Sequence, residues 1–210
     1  QICRICQDKK EIPHLIVSQI EHHSVLDTAK HLEKLGYKVT YLPVDKDGLV
    51  SVDDLKKAIQ ENTVLVSVMY GNNEIGTVEP IPEIGAALKE INKERVNKKQ
   101  KIYFHTDAVQ TIQYLDCRVD HLGVDLLSMS AHKFYGPKGV GALYLRKGTP
   151  IMRQMDGGGQ EHYLRAGTEN VAGIVGMGKA AELAKLKIKN EKLKIDRLRD
   201  RLIAGVLKNV

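Results

Sequence analysis

The chain is predicted to be an α/β domain with a mostly parallel sheet flanked by helices. Two observations predict it. Short apolar runs alternate with amphipathic helical patterns along the sequence, as a parallel sheet with helical crossovers requires. The residues best suited to chemistry fall at the ends of those runs or in the loops just after them, and loops leaving one edge of such a sheet converge on a common crevice.

Taken in order, a first strand at His14–Ser18 leads to a helix over Ser24–Leu35, which Gly36 ends in the usual position. A strand at Lys38–Leu42 precedes a helix over Val52–Gln60, where Asp53 and Asp54 set negative charge at the positive end of the helix dipole. A strand at Val64–Met69, a helix over Ile81–Asn92 and strands at Lys101–His105, Asp125–Ser128 and Gly141–Leu145 follow. A long helix runs from about Val171 towards Lys208, and its stripe of Ile195, Leu198, Leu202 and Val206 has the spacing of one buried face.

The 210 residues suit one domain or most of one, with apolar residues at 42%, enough for a substantial core. No apolar run approaches membrane-spanning length, so no membrane partner is expected, and Gln1 to Glu11 is too polar for a secretory signal. The net charge of +6 is spread over lysine-rich helical stretches, Lys89 to Lys101 and Lys185 to Lys194, with Glu90, Glu94, Glu182 and Glu191 mixed in. That pattern describes solvated helix faces rather than a nucleic-acid stripe, so no nucleic-acid partner is expected. Three cysteines are too few for a disulfide framework, and a reducing cytoplasm is the natural location. Cys3 and Cys6 make half of a zinc motif with no second pair of ligands at the right spacing, so no metal is expected. Cys117 lies in a connecting segment, with nothing to mark it as a nucleophile.

The most informative segment is Ser130-Ala131-His132-Lys133-Phe134-Tyr135, running into Gly136-Pro137-Lys138-Gly139-Val140-Gly141. A lysine at a strand end, with a hydroxyl and an imidazole just before it and glycines after it, suits a covalent carrier that forms a Schiff base with an aldehyde cofactor. The plain alternative is a loop charge. His105-Thr106-Asp107-Ala108-Val109-Gln110 closes another strand. Pyridoxal phosphate needs a carboxylate against its ring nitrogen to keep the ring electron-withdrawing. Asp107 fits that role, with Gln110 available to the phenolic oxygen. A helix cap is the competing reading of Asp107, favoured only in the absence of Lys133.

With these segments the chain resembles the cysteine desulfurase and selenocysteine lyase group of the class V aminotransferases. The resemblance rests on five ordered blocks: Glu21-His22-His23-Ser24-Val25-Leu26, Asn72-Asn73-Glu74-Ile75-Gly76, the Asp107 block, Ser130-Ala131-His132-Lys133, and Gly157-Gly158-Gly159-Gln160-Glu161 with Arg165-Ala166-Gly167-Thr168-Glu169-Asn170. It runs from about His14 to the C-terminus. It implies the large domain of the type I pyridoxal-phosphate aminotransferase fold, with residues 1–172 as an incomplete large domain and 173–210 as a long helix leading towards a C-terminal small domain.

Residue by residue, the resemblance implies that Lys133 is the Schiff-base lysine and that His22 stacks on the pyridine ring and moves protons. Asp107 pairs with the ring nitrogen and Gln110 with the phenolic oxygen. Asn73 lies near that oxygen and the substrate carboxylate, while Ser130 and His132 hold the phosphate. Thr168 reaches the phosphate of a neighbouring subunit's cofactor, which implies a homodimer. Plainer roles compete: turn formation for Asn72 and Asn73, local capping for Ser130 and Thr168, a surface charge for Arg165 and a helix start for His23. The implied activity is removal of sulfur from L-cysteine to give alanine and a persulfide, passed to a sulfur-acceptor or iron-sulfur scaffold protein. Selenocysteine lysis is the alternative within the enzyme class, and an inactive scaffold remnant the alternative outside it. The family's acceptor cysteine, its substrate-carboxylate arginine and its Gly-x-Thr-Glu phosphate loop have no counterpart here, so the chain is expected to be a fragment that is inactive alone.

Overall fold

A computed structural model describes residues 12–95 and 100–209, leaving aside the side chains of 187–192. The Cys3 and Cys6 pair lies outside the described residues. The order of elements is β1 (His14–Ser18), α1 (His23–Lys34), β2 (Lys38–Leu42), α2 (Val52–Ala58), β3 (Thr63–Ser67), α3 (Ile81–Glu94), β4 (Tyr103–Asp107), α4 (Val119–Leu122), β5 (Leu126–Ser130), a 3-10 turn (Ala131–Phe134), β6 (Gly141–Leu145), a second 3-10 turn (Glu161–Tyr163) and α5 (Val171–Asn209). The strands form one sheet in the order β2-β1-β3-β4-β5-β6. Every neighbouring pair is parallel except β5 with β6. The expected architecture is therefore the observed one, with an antiparallel strand at one edge.

Register sets which side chains share a face. Ile16 lies opposite Val66, and Val66 opposite Phe104, so these three line one side of the sheet. They join Leu55 of α2, Ile84 and Leu88 of α3 and Leu122 of α4 in a single buried cluster. Each such side chain contributes roughly 1.5–3 kcal/mol when fully buried. Gly85 lets α3 reach α4, since a Cβ there would stand 2.2 Å from the Leu122 carbonyl oxygen. Helix α1 ends as expected: Gly36 has φ +91°, its N–H donates to the Glu33 carbonyl, and the Tyr37 N–H donates to the Leu32 carbonyl.

Helix α5 departs from expectation in one respect. It spans 39 residues. Near its start, Met177 and Ala180 bury against Ala131 and Phe134 of the first 3-10 turn. The stripe expected to be buried is instead exposed, at 41% for Ile195, 55% for Leu198, 68% for Leu202 and 50% for Val206. No element among the described residues lies against it. No helix among them is long and apolar enough to cross a membrane.

Candidate active site

Because β1, β3, β4 and β5 are adjacent and parallel, their C-terminal ends line one sheet edge. The loops leaving that edge carry His22, Asn73, Asp107 with Gln110, and the Ser130-His132-Lys133 group. Seven of the eight candidate residues are thus gathered on one row of strand ends. Thr168 is the exception. It is exposed in the segment just ahead of α5 and follows none of those four strands.

Lys133 sits on a tightly determined turn. A 3-10 turn repeats every three residues, so Ala131 and Phe134 point inward together and are buried, while His132 and Lys133 are exposed. Tyr135 ends the turn in the left-handed region at φ 64°, unusual for a bulky residue and a mark of local strain. Gly136 follows with its N–H on the Ala131 carbonyl at 2.8 Å, where a Cβ would meet Ala131 at 2.9 Å. The Gln113 side-chain amide donates to the Lys133 carbonyl at 3.3 Å. Ser130 Oγ and His132 Nδ1 are hydrogen-bonded at 2.9 Å.

Asp107 is the last residue of β4 and is only 9% exposed. Its Oδ1 accepts the Val109 N–H at 2.9 Å, closing a short side-chain turn rather than capping a regular helix. Burial pushes its carboxyl above the usual range, against the opposing pull of the Val109 N–H and the nearby His22. Two residues earlier, His105 bridges the strands on both sides, with Nδ1 to Ser67 Oγ at 2.8 Å and Nε2 to Ser128 Oγ at 2.9 Å. Burial lowers its pKa to about 4, so the bridge is a neutral imidazole.

His22 is the N-cap of α1, and its Nδ1 accepts the Ser24 N–H at 3.2 Å. A backbone N–H can only donate, so Nδ1 carries the lone pair and the proton of the neutral ring is on Nε2. His23 is the first helical residue, as expected, and faces Asp27 at 3.7 Å. Of the two asparagines, Asn72 is the turn former, its Oδ1 accepting the Glu74 and Ile75 N–H groups, while Asn73 is exposed. The cap of α5 is Asn170, which accepts the Gly173 N–H at 3.1 Å, so Thr168 is not needed as a cap. Cys117 is half-buried beside Thr111, and burial pushes its thiol up, away from nucleophilic reactivity.

An amine, a buried carboxyl, an imidazole and a hydroxyl thus stand on one edge of an α/β sheet, where ligands of such folds are bound. The chain belongs to the class-V aminotransferase family, whose pattern matches residues 4–209. This family is pyridoxal-phosphate-dependent. Among its relatives, the cysteine desulfurase IscS of Dictyoglomus turgidum is 57% identical over 197 residues, covering 94% of this chain and 48% of that protein. A solved NifS-like protein superposes with a TM-score of 0.90 at 42% identity, covering 99% of this chain and 54% of the other. A solved structure of SspA in complex with cysteine gives 0.77 at 43% identity, covering 86% of this chain and 50% of the other. The chain spans about half the length of the curated relatives it matches.

The sequence pointed to no role for three residues that support this site. Glu21, His105 and Gln113 act through hydrogen bonds to neighbours distant in sequence. The only prior signal was the presence of Glu21 and His105 inside the matching blocks.

Proposed function

We propose that the chain is the cofactor-binding part of a pyridoxal-phosphate-dependent cysteine desulfurase, which removes sulfur from L-cysteine to give alanine and a persulfide. The observation that carries this reading is that His22, Asp107 and Lys133 follow the C-terminal ends of β1, β4 and β5, which lie along one edge of the parallel part of the sheet. The donor set fits the cofactor: an exposed amine, a carboxyl held by a backbone N–H, and hydroxyl and imidazole groups beside the amine.

In this reading Lys133 would carry the cofactor and Asp107 would hold its ring nitrogen. Gln110 and Asn73 would bind the phenolic oxygen, and Ser130 and His132 the phosphate. When bound, pyridoxal phosphate supplies an electron sink for a carbanion at the substrate α-carbon. The side-chain amine of Lys133 takes and returns the α-proton. His22, whose Nδ1 is committed to α1, would stack its ring on the cofactor and keep Nε2–H free to move a proton. Thr168, exposed and outside the row of strand ends, would serve a neighbouring subunit's phosphate in a homodimer. The persulfide would pass to a sulfur-acceptor or iron-sulfur scaffold protein in the cytoplasm. Cysteine is favoured over selenocysteine by the similarity to IscS relatives and to SspA solved with cysteine.

The test is the whole protein loaded with pyridoxal phosphate. Lys133→Ala is expected to abolish its visible absorbance. Borohydride reduction of the wild type is expected to fix the cofactor to the peptide containing Lys133. A label found on another lysine rejects the assignment.

A further inference from the structure

Glu21 lies immediately before His22 and is 4% exposed. Its Oε1 accepts both the Ser18 hydroxyl at 2.9 Å and the Met69 N–H. A second tie runs alongside, from the Asn72 side-chain amide to the Ile20 carbonyl at 2.9 Å. The loop carrying His22 and the loop carrying Asn73 are therefore stitched together beneath the sheet edge. The other carboxyl oxygen of Glu21, Oε2, is fully buried and has no partner among the described residues.

We propose that Glu21 is a positioning residue that acts, as a neutral acid, by fixing the His22 loop against the end of β3 and by leaving Asp107 as the charged carboxylate of the site. Geometry argues for the neutral form. An ionised carboxylate with one oxygen buried and without a donor costs several kcal/mol or more by the usual scale, whereas a protonated one loses only a hydrogen bond. Burial raises its carboxyl to about 8, with Asp107 and Glu79 adding to the rise and the Ser18 and Met69 hydrogen bonds opposing it. The groups facing it are thus Asp107 at the end of β4, Glu79 in the loop before α3, and the two donors. A second negative charge here would push the Asp107 carboxyl further up, towards the neutral form that cannot keep a ring nitrogen protonated.

This inference rests on the functional reading above. It is tested by recording the visible absorbance of the loaded whole protein against pH for wild type, Glu21→Gln and Glu21→Ala. Glu21→Gln mimics the neutral acid. It is expected to keep the wild-type spectrum near neutrality and to lose one pH-dependent step, near pH 8, that the wild type shows. Glu21→Ala is expected to shift the spectrum and raise KM, both restored by Gln. A Gln variant as impaired as Ala at neutral pH, or one with the wild-type pH profile, overturns the inference while leaving the functional reading intact. A wild type that takes up no colour overturns both.

Discussion

His22 Nδ1 accepts the backbone N–H of Ser24 at 3.2 Å, so the imidazole proposed to stack on the cofactor also starts helix α1. The two duties can be separated. His22→Ala removes cap and ring together and is expected to cost about 1 kcal/mol of stability. His22→Asn, an efficient N-cap, is expected to recover that stability in urea unfolding. Both variants should lose the wild-type cofactor spectrum. Recovery of the spectrum by Asn alone would reduce His22 to a cap.

Asp107→Asn preserves an oxygen for the Val109 N–H but removes the charge. Turnover of cysteine by the whole protein is expected to fall by about a hundredfold or more, the scale of losing one preorganised electrostatic partner. Cofactor should still bind through Lys133, as absorbance would report. Undiminished alanine release would contradict the role given to this carboxyl.

His105 gives a pH dependence of stability with a defined sign. Its folded pKa of about 4 lies below the ordinary 6.5, so between those values the unfolded chain binds more protons. The contribution is fully present above pH 6.5 and is lost as pH falls through about 4. It amounts to no more than about 3 kcal/mol. Glu21 acts in the opposite sense, since its raised carboxyl loses stability as pH climbs from 4.5 through about 8. Comparing wild type with His105→Gln isolates the first effect. The variant should show a flatter fall in unfolding midpoint between neutral and acid pH.

Gly85→Ala is expected to destabilise by about 1–3 kcal/mol through overpacking. The added methyl would stand 2.2 Å from the Leu122 carbonyl oxygen and 3.2 Å from the Gly123 Cα, both backbone atoms that cannot swing aside. A lowered urea midpoint with unchanged slope would report it, and an unchanged midpoint would show that α3 can move away from α4.

Strands β1, β2 and β6 were legible to the residue, because apolar runs with sharp ends define them. Strand β4 was expected at Lys101–His105 and lies at Tyr103–Asp107, and β5 ends at Ser130 rather than Ser128. Those ends are set by ladder pairing, such as Asp107 with Ser128, which no local pattern encodes. β3 likewise begins at Thr63 and stops at Ser67 rather than running from Val64 to Met69. Helix α4, at four residues, is too short to show a period. The α5 stripe was legible as a face, but periodicity does not say what covers it. At the site, Lys133 and Asp107 were legible as residue types at strand ends. The buried acid at Glu21 and the His105 bridge were not, because burial and long-range hydrogen bonding arise only once the strands are assembled.

At 1.5 Å per residue, the 39-residue helix α5 is a rod roughly 60 Å long. Its inner turns bear on Ala131 and Phe134, the two residues that hold the Lys133 turn in shape. The far half of that rod stands clear of the sheet, so the same helix that buttresses the Lys133 turn also carries an uncovered apolar stripe well away from it.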